Sequence, residues 1–88
     1  MEEGNHTEEH ILEYYKNYSA ANFQAWFIGL TKVDHLRIER VLNYRLFTIN
    51  SANDAKEIFD KLVNESDFKP APESEHEGNH LFIYSKNN

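Results

Sequence analysis

The chain has no cysteine. That excludes disulfides, thiolate metal ligands and a cysteine nucleophile together, and it leaves the core to be held by packing alone. No apolar run approaches the roughly 20 residues that a membrane-spanning helix needs. Nor does Met1-Glu2-Glu3-Gly4-Asn5 have the basic-then-apolar layout of a signal peptide, so a soluble, cytoplasmic protein is expected. No internal repeat or low-complexity run is visible. Basic residues are scarce, with nine Lys and Arg against 15 Asp and Glu, for a net charge of -6. Avid, non-specific nucleic-acid binding needs clustered Lys and Arg to neutralise phosphates, so the balance counts against it. A local basic patch stays compatible with it.

What is present suits one globular domain over residues 1–88. The chain is 40% hydrophobic and 14% aromatic, enough apolar surface to offset the entropy of ordering a short chain. Residues 1–6 read as a flexible tail. A helix is expected from Thr7 to about Tyr18, capped by Asn5 or Thr7, with Glu8 and Glu9 in its first turn. Ile11, Tyr14, Tyr15 and Tyr18 give it an apolar, aromatic face. His6 and His10 lie four apart, but without a third ligand they read as exposed histidines on a polar face. Ser19-Ala20-Ala21-Asn22 reads as a connector.

Phe23 to Leu30 is the first expected strand, and its near-continuous apolar character predicts cover on both faces. Gly29 inside it marks a place where backbone or a ligand comes close. Thr31 and Asp34 form a capping-box-like pair, which predicts a helix from Lys32 to about Asn43. Residues 44–50 form a second strand. Ser51 caps a helix over 52–65, whose stripe is Ala55, Ile58, Phe59, Leu62 and Val63. Residues 66–79 hold both prolines and four acidic residues, and read as an acidic loop. The chain closes with a strand over 80–86. The order helix, strand, helix, strand, helix, strand predicts an α/β (α+β) domain with a three-stranded sheet flanked by three helices.

One stretch carries a functional signature. Trp26-Phe27-Ile28-Gly29-Leu30-Thr31, followed eight residues after Gly29 by Arg37, resembles the GIY-YIG nuclease superfamily. It looks most like a small single-domain branch whose core reads Trp-Tyr-Ile-Gly-Ile-Thr before an Arg-bearing helix. The Ser51-capped helix with Ala55, and the closing Leu81-Phe82-Ile83-Tyr84-Ser85-Lys86, are similar to that branch's remaining elements.

The resemblance implies metal-dependent cleavage of DNA phosphodiesters. A tyrosine would handle the proton, an arginine would meet the developing charge, and a helix glutamate would hold a single Mg²⁺ or Mn²⁺. This chain departs from that set. Phe27 stands at the motif tyrosine and Phe59 at the helix glutamate, so neither the proton group nor the cation ligand is present there. Glu57 lies roughly 200° around the helix from Phe59. Arg37 persists, with Arg40, Arg45 and Lys32 near it. It reads either as a remnant anion-binding patch or as a solvated face partnered by Asp34 and Glu39.

Three functions compete. In the first, a GIY-YIG-like scaffold without catalysis or cofactor binds a macromolecular partner. That partner is a protein, for instance a basic nucleic-acid enzyme whose groove accepts the acidic loop in place of phosphate, and Arg37, Arg40, Lys32 and Gly29 are the candidate binding residues. In the second, the chain is a DNA endonuclease with displaced groups, a tyrosine of the first helix together with Glu57 or Asp60. In the third, it is a small structural domain that self-associates through Tyr14, Tyr18 and Trp26.

Overall fold

The structure is a computed structural model that describes residues 8–18, 24–66 and 68–87. The expected tail 1–6, the cap candidates Asn5 and Thr7, His6, the connector 19–22 and Phe23 lie outside the described residues, as does the side chain of Tyr18. The elements in chain order are α1 (Glu8–Tyr18), β1 (Gln24–Thr31), β2 (Asn43–Thr48), α2 (Ala52–Glu65), β3 (Phe68–Pro70) and β4 (His80–Asn87). The strands form one mixed sheet in the order β2-β4-β1-β3. The β1–β3 pair is parallel, and β4 runs antiparallel to both β1 and β2. The fold is thus α+β with four strands and two helices among the described residues, rather than three strands and three helices.

Alternation along the strands sorts their side chains onto two faces. On one face Trp26, Ile28, Leu30, Phe47, Ile49, Leu81 and Ile83 meet Ile11 of α1 and Ala55, Phe59 and Leu62 of α2 in the main core. Tyr15 packs edge-on against Trp26, with ring centroids 5.2 Å apart. α2 forms where its cap predicts, because the Ser51 hydroxyl accepts from the Asp54 N–H at 3.1 Å and satisfies a donor that the helix leaves open. The other face is a smaller aromatic layer of Phe82 and Tyr84, joined by Phe27, Tyr44 and Leu46.

Two expectations fail here for stateable reasons. The stretch from Lys32 to Leu42 is not a helix; it crosses the aromatic layer as a strap. Leu36 and Ile38 turn inward while Arg37 and Glu39 are exposed, which is a period of two and not of 3.6. The Leu36 carbonyl, which in a helix would accept from Arg40, instead accepts from the Tyr44 hydroxyl at 2.7 Å. Arg40 has φ +64, outside the right-handed helical region. Thr31 is wholly buried in β1, and its hydroxyl donates to Glu75 at 3.1 Å while accepting from the Val33 N–H, so it makes a turn instead of a cap.

The acidic stretch 66–79 likewise contains a strand. Phe68 is buried, and Phe68–Pro70 pairs with Trp26, Phe27 and Ile28. Proline is tolerated there because β3 is an edge strand.

Candidate functional site

The residues singled out by the sequence are dispersed over both faces of the sheet. Phe27 is half-buried in the aromatic layer, stacked on Tyr84 at 5.2 Å between centroids. Phe59 sits under α2 in the main core on the opposite face, edge-on to His76 at 6.5 Å. The sheet therefore separates the two positions at which the resemblance expects a tyrosine and a glutamate. Glu57 and Asp60 are exposed on α2, on the helical side, and Asp60 pairs with Lys56 at 3.6 Å. Arg37 belongs to the strap, on the other side. Tyr14 is occupied too, its hydroxyl donating to the Tyr44 carbonyl at 3.2 Å. Trp26 is only 4% exposed, so it contributes nothing to an outer aromatic face.

Gly29 makes room for the protein's own atoms. A Cβ there would lie 2.4 Å from Phe82 Cζ and 2.9 Å from Ser74 Cβ. The close approach is by a ring and a loop of this chain. Lys32 is held as well: its N–H donates to Glu75 at 2.8 Å and its ammonium pairs with Glu77 at 3.2 Å. Arg37 and Arg40 are exposed. Asp34 bonds His35 at 3.0 Å rather than Arg37, and that hydrogen bond to His35, the largest cause, lowers the Asp34 carboxyl below its ordinary range.

Much of the acidic stretch works internally. Glu75 accepts from the Lys32 N–H and the Thr31 hydroxyl, which in that order hold its carboxyl below the usual value. Glu73 accepts from the Tyr84 hydroxyl at 2.5 Å. Burial first, and then the Glu73 carboxylate, push the Tyr84 phenol far above its ordinary range. Burial also raises Tyr44. Ser74 receives the Leu30 N–H at 3.0 Å, and the Glu75 N–H reaches the Leu30 carbonyl. The loop thereby continues the edge of β1.

Sequence reasoning missed the Tyr84–Glu73 pair because in the sequence Tyr84 reads only as one residue of the closing strand. The register places Tyr84 directly opposite Phe27, with the Lys86 ammonium 5.6 Å from the Tyr84 ring and 5.9 Å from that of Phe27. Among the described residues, no three His, Asp or Glu side chains are grouped to hold a metal ion.

Charge is unevenly divided between the faces. α1 carries three glutamates and one lysine, and α2 carries two aspartates, two glutamates and two lysines. Glu9, Glu13, Asp54, Glu57 and Glu65 are all exposed. The strap carries Lys32, Arg37 and Arg40 against Asp34 and Glu39. An open depression along α1 is lined by Glu9, His10, Leu12, Glu13 and Lys16; Phe27, Gly29, Lys32, Arg37, Arg40 and Phe59 do not border it. No helix of the described residues is long and apolar enough to cross a membrane. In comparisons with known proteins, no family model, no curated protein and no solved structure matches this chain.

Proposed function

We propose that this domain is a degenerate relative of the GIY-YIG nucleases that acts in the cytoplasm by binding a protein partner through its surface. The observation that supports a domain without catalysis is the separation of Phe27 and Phe59 onto opposite faces of the sheet; the relationship itself rests on the sequence motif alone. Cleavage requires a proton-handling group, a cation ligand and an arginine around one phosphate. Here those positions hold two hydrocarbon rings that cannot meet, and an exposed arginine beyond them.

The surface offered instead is the acidic outer side of α1 and α2. The loop 66–79 is the poorer candidate, because Glu73 and Glu75 are already bonded within the chain. Exposed carboxylates on a packed helical layer match a basic protein, such as a nucleic-acid enzyme whose groove ordinarily takes phosphate. Electrostatic steering of that kind is salt-sensitive. The test is capture at low salt with the wild-type chain and with Glu57→Lys/Glu65→Lys. The expected result is a basic protein retained by the wild type, lost on the variant and released by salt. Equal capture by both would reject the helical face.

One observation favours the nuclease alternative: the register sets Tyr84 opposite Phe27, and the Tyr84 hydroxyl is bonded to the Glu73 carboxylate. The phenol is fully buried and keeps its proton in a hydrogen bond to Glu73, so it is poorly placed to accept one. Plasmid incubated with the protein and Mg²⁺ or Mn²⁺ decides between the readings. We expect no nicking; nicking that disappears in Arg37→Ala would establish the endonuclease.

A further inference from the structure

The cations of this chain are partnered unevenly. All nine Lys and Arg lie among the described residues. Lys56 and Lys61 pair with Asp60 and Glu8 on the helical side, and Lys32 pairs with Glu77. Lys16 stands among the glutamates of α1, and Arg45 lies over the Tyr14 and Phe47 rings. The others, Arg37, Arg40, Lys69 and Lys86, form no ion pair among the described residues. Alternation and register set Lys69 and Lys86 on the same face of the sheet as Phe27, the face crossed by the strap that carries the two arginines. The carboxylates of that side are mostly engaged: Asp34 bonds His35, Glu73 bonds Tyr84, and Glu75 and Glu77 hold Lys32. Among the described residues only Glu39 is left there.

Three of these cations stand next to exposed apolar surface. One row across the sheet reads Lys69, Phe27, Tyr84, Tyr44, and the neighbouring row pairs Ala25 with Lys86. The stacked rings end at Phe27: Tyr84 lies on one side of it, and its neighbour on the other strand is Lys69, not a further ring. Phe27 is half-buried and Lys69 exposed. The Lys86 ammonium lies almost equally far from the Phe27 and Tyr84 rings, at 5.9 and 5.6 Å. The strap ends beside it, because the Leu42 N–H donates to the Ser85 carbonyl at 2.8 Å. Leu42 is 49% exposed, the one large apolar side chain so exposed among the described residues. Arg40 precedes it by two residues and is exposed as well.

We infer that this patch binds a short acidic segment of another protein, one in which carboxylates flank an apolar side chain. The carboxylates meet Lys69, Lys86 and Arg40, and the apolar side chain covers Phe27 and Leu42, giving an apolar centre with a charged rim. From β3 to β2 is three strand spacings, about 14 Å, a distance that about four residues of extended chain cover. Charge and shape select such a segment over other anions. Leu42 has no flat face for a nucleobase, which needs an aromatic partner to stack on. Beyond the patch, the chain's net charge of -6 opposes a phosphate polymer or an anionic bilayer that continues past it. The patch lies across the sheet from the acidic outer side of α1 and α2. It is a second contact and stands or falls separately from the function proposed above.

The test titrates the intact, isotope-labelled chain with the blocked hexapeptide Glu-Glu-Leu-Phe-Glu-Glu. The same peptide with Lys for Glu, hexathymidylate and phosphatidylserine vesicles serve as competing probes. Saturable shifts are expected at the Ala25, Phe27, Leu42, Lys69 and Lys86 amides, weakening as salt is raised. Arg40→Glu/Lys69→Glu reverses two exposed charges and should weaken the peptide roughly tenfold, several times the effect of losing one surface pair. Leu42→Ser removes apolar contact area and should weaken it roughly threefold. If a variant does not fold, an Overhauser contact between the peptide's Phe ring and the Leu42 methyls of the wild type still decides. Absence of saturable shifts overturns the inference, and so do shifts centred on Lys16, Lys56 or Lys61. Tighter binding of hexathymidylate, the vesicles or the basic peptide also overturns it. So does binding that responds to the charge reversals but not to Leu42→Ser, since that is attraction without a site.

Discussion

Replacing Gly29 with alanine tests what the motif glycine is for. The added methyl would lie 2.4 Å from Phe82 Cζ, 2.9 Å from Phe82 Cε2 and 2.9 Å from Ser74 Cβ, where carbon atoms normally sit about 3.5–4.0 Å apart. Phe82 is fully buried and stacked nearly parallel on Tyr84, with 4° between the rings, so the ring has no free end to swing aside. Overpacking of this kind costs about 1–3 kcal/mol. Moving Ser74 also strains its bond from the Leu30 N–H, a further contribution of about 0.5–1.5 kcal/mol. The stiffer unfolded chain returns roughly 0.4–1 kcal/mol. A net loss of about 2–3 kcal/mol is expected by urea denaturation, against a total of roughly 4–13 kcal/mol for a domain of this size. Phe82→Leu shortens the ring that the methyl meets, so the double variant should be at least about 1 kcal/mol more stable than the sum of the single losses, a coupling typical of residues in contact. If Gly29→Ala loses less than about 0.5 kcal/mol, or the two losses simply add, then Phe82 is not what holds this position open.

Other consequences are as direct. Tyr84 is raised above its ordinary value of 10.0, so the folded state keeps its proton longer than the unfolded one. The associated stability is complete below pH 10 and lost as pH climbs further, and phenolate absorbance should show Tyr84 titrating late. Glu75 runs the other way. Its carboxyl lies below 4.5, so its anchoring of the strap holds above that pH and fails as pH falls through the lowered value. The Lys32 amide resonance should report the transition, and a Lys32 shift that follows an ordinary carboxyl would contradict the bond. Ser51→Ala removes the cap of α2 and should lower stability by about 1 kcal/mol, read from the denaturation midpoint. Phe27→Tyr restores the motif hydroxyl without the rest of the site, and should leave plasmid DNA intact in Mg²⁺ or Mn²⁺.

Local patterns made much of the fold legible. Ser51 followed by the stripe Ala55, Ile58, Phe59, Leu62 fixed α2, and the unbroken apolar run through Ile28 marked an interior strand. The strap was misread because Thr31 and Asp34 imitate a capping box, while the alternation Leu36, Arg37, Ile38, Glu39 spans too few residues to outweigh it. Its true partner, the Tyr44 hydroxyl bonded to the Leu36 carbonyl, is a tertiary contact that no local pattern encodes. β3 was invisible for a related reason: three residues ending in proline form a strand only because β1 offers them an edge. At the candidate site, the resemblance set Phe27 and Phe59 where a hydroxyl and a carboxylate would be expected. It did not show that the sheet lies between them, nor that Tyr84 faces Phe27, since both facts depend on register.

The most direct trial of the proposed non-catalytic reading is an amide spectrum of the chain titrated with Mn²⁺, a paramagnetic ion that broadens resonances close to where it binds. The account predicts weak, unsaturated broadening spread over the carboxylates of α1 and α2, with Phe27, Arg37 and Tyr84 spared. Saturable broadening centred on Arg37, Glu73 and Tyr84 would mean that a cation site survives beside the arginine, and the account would be wrong.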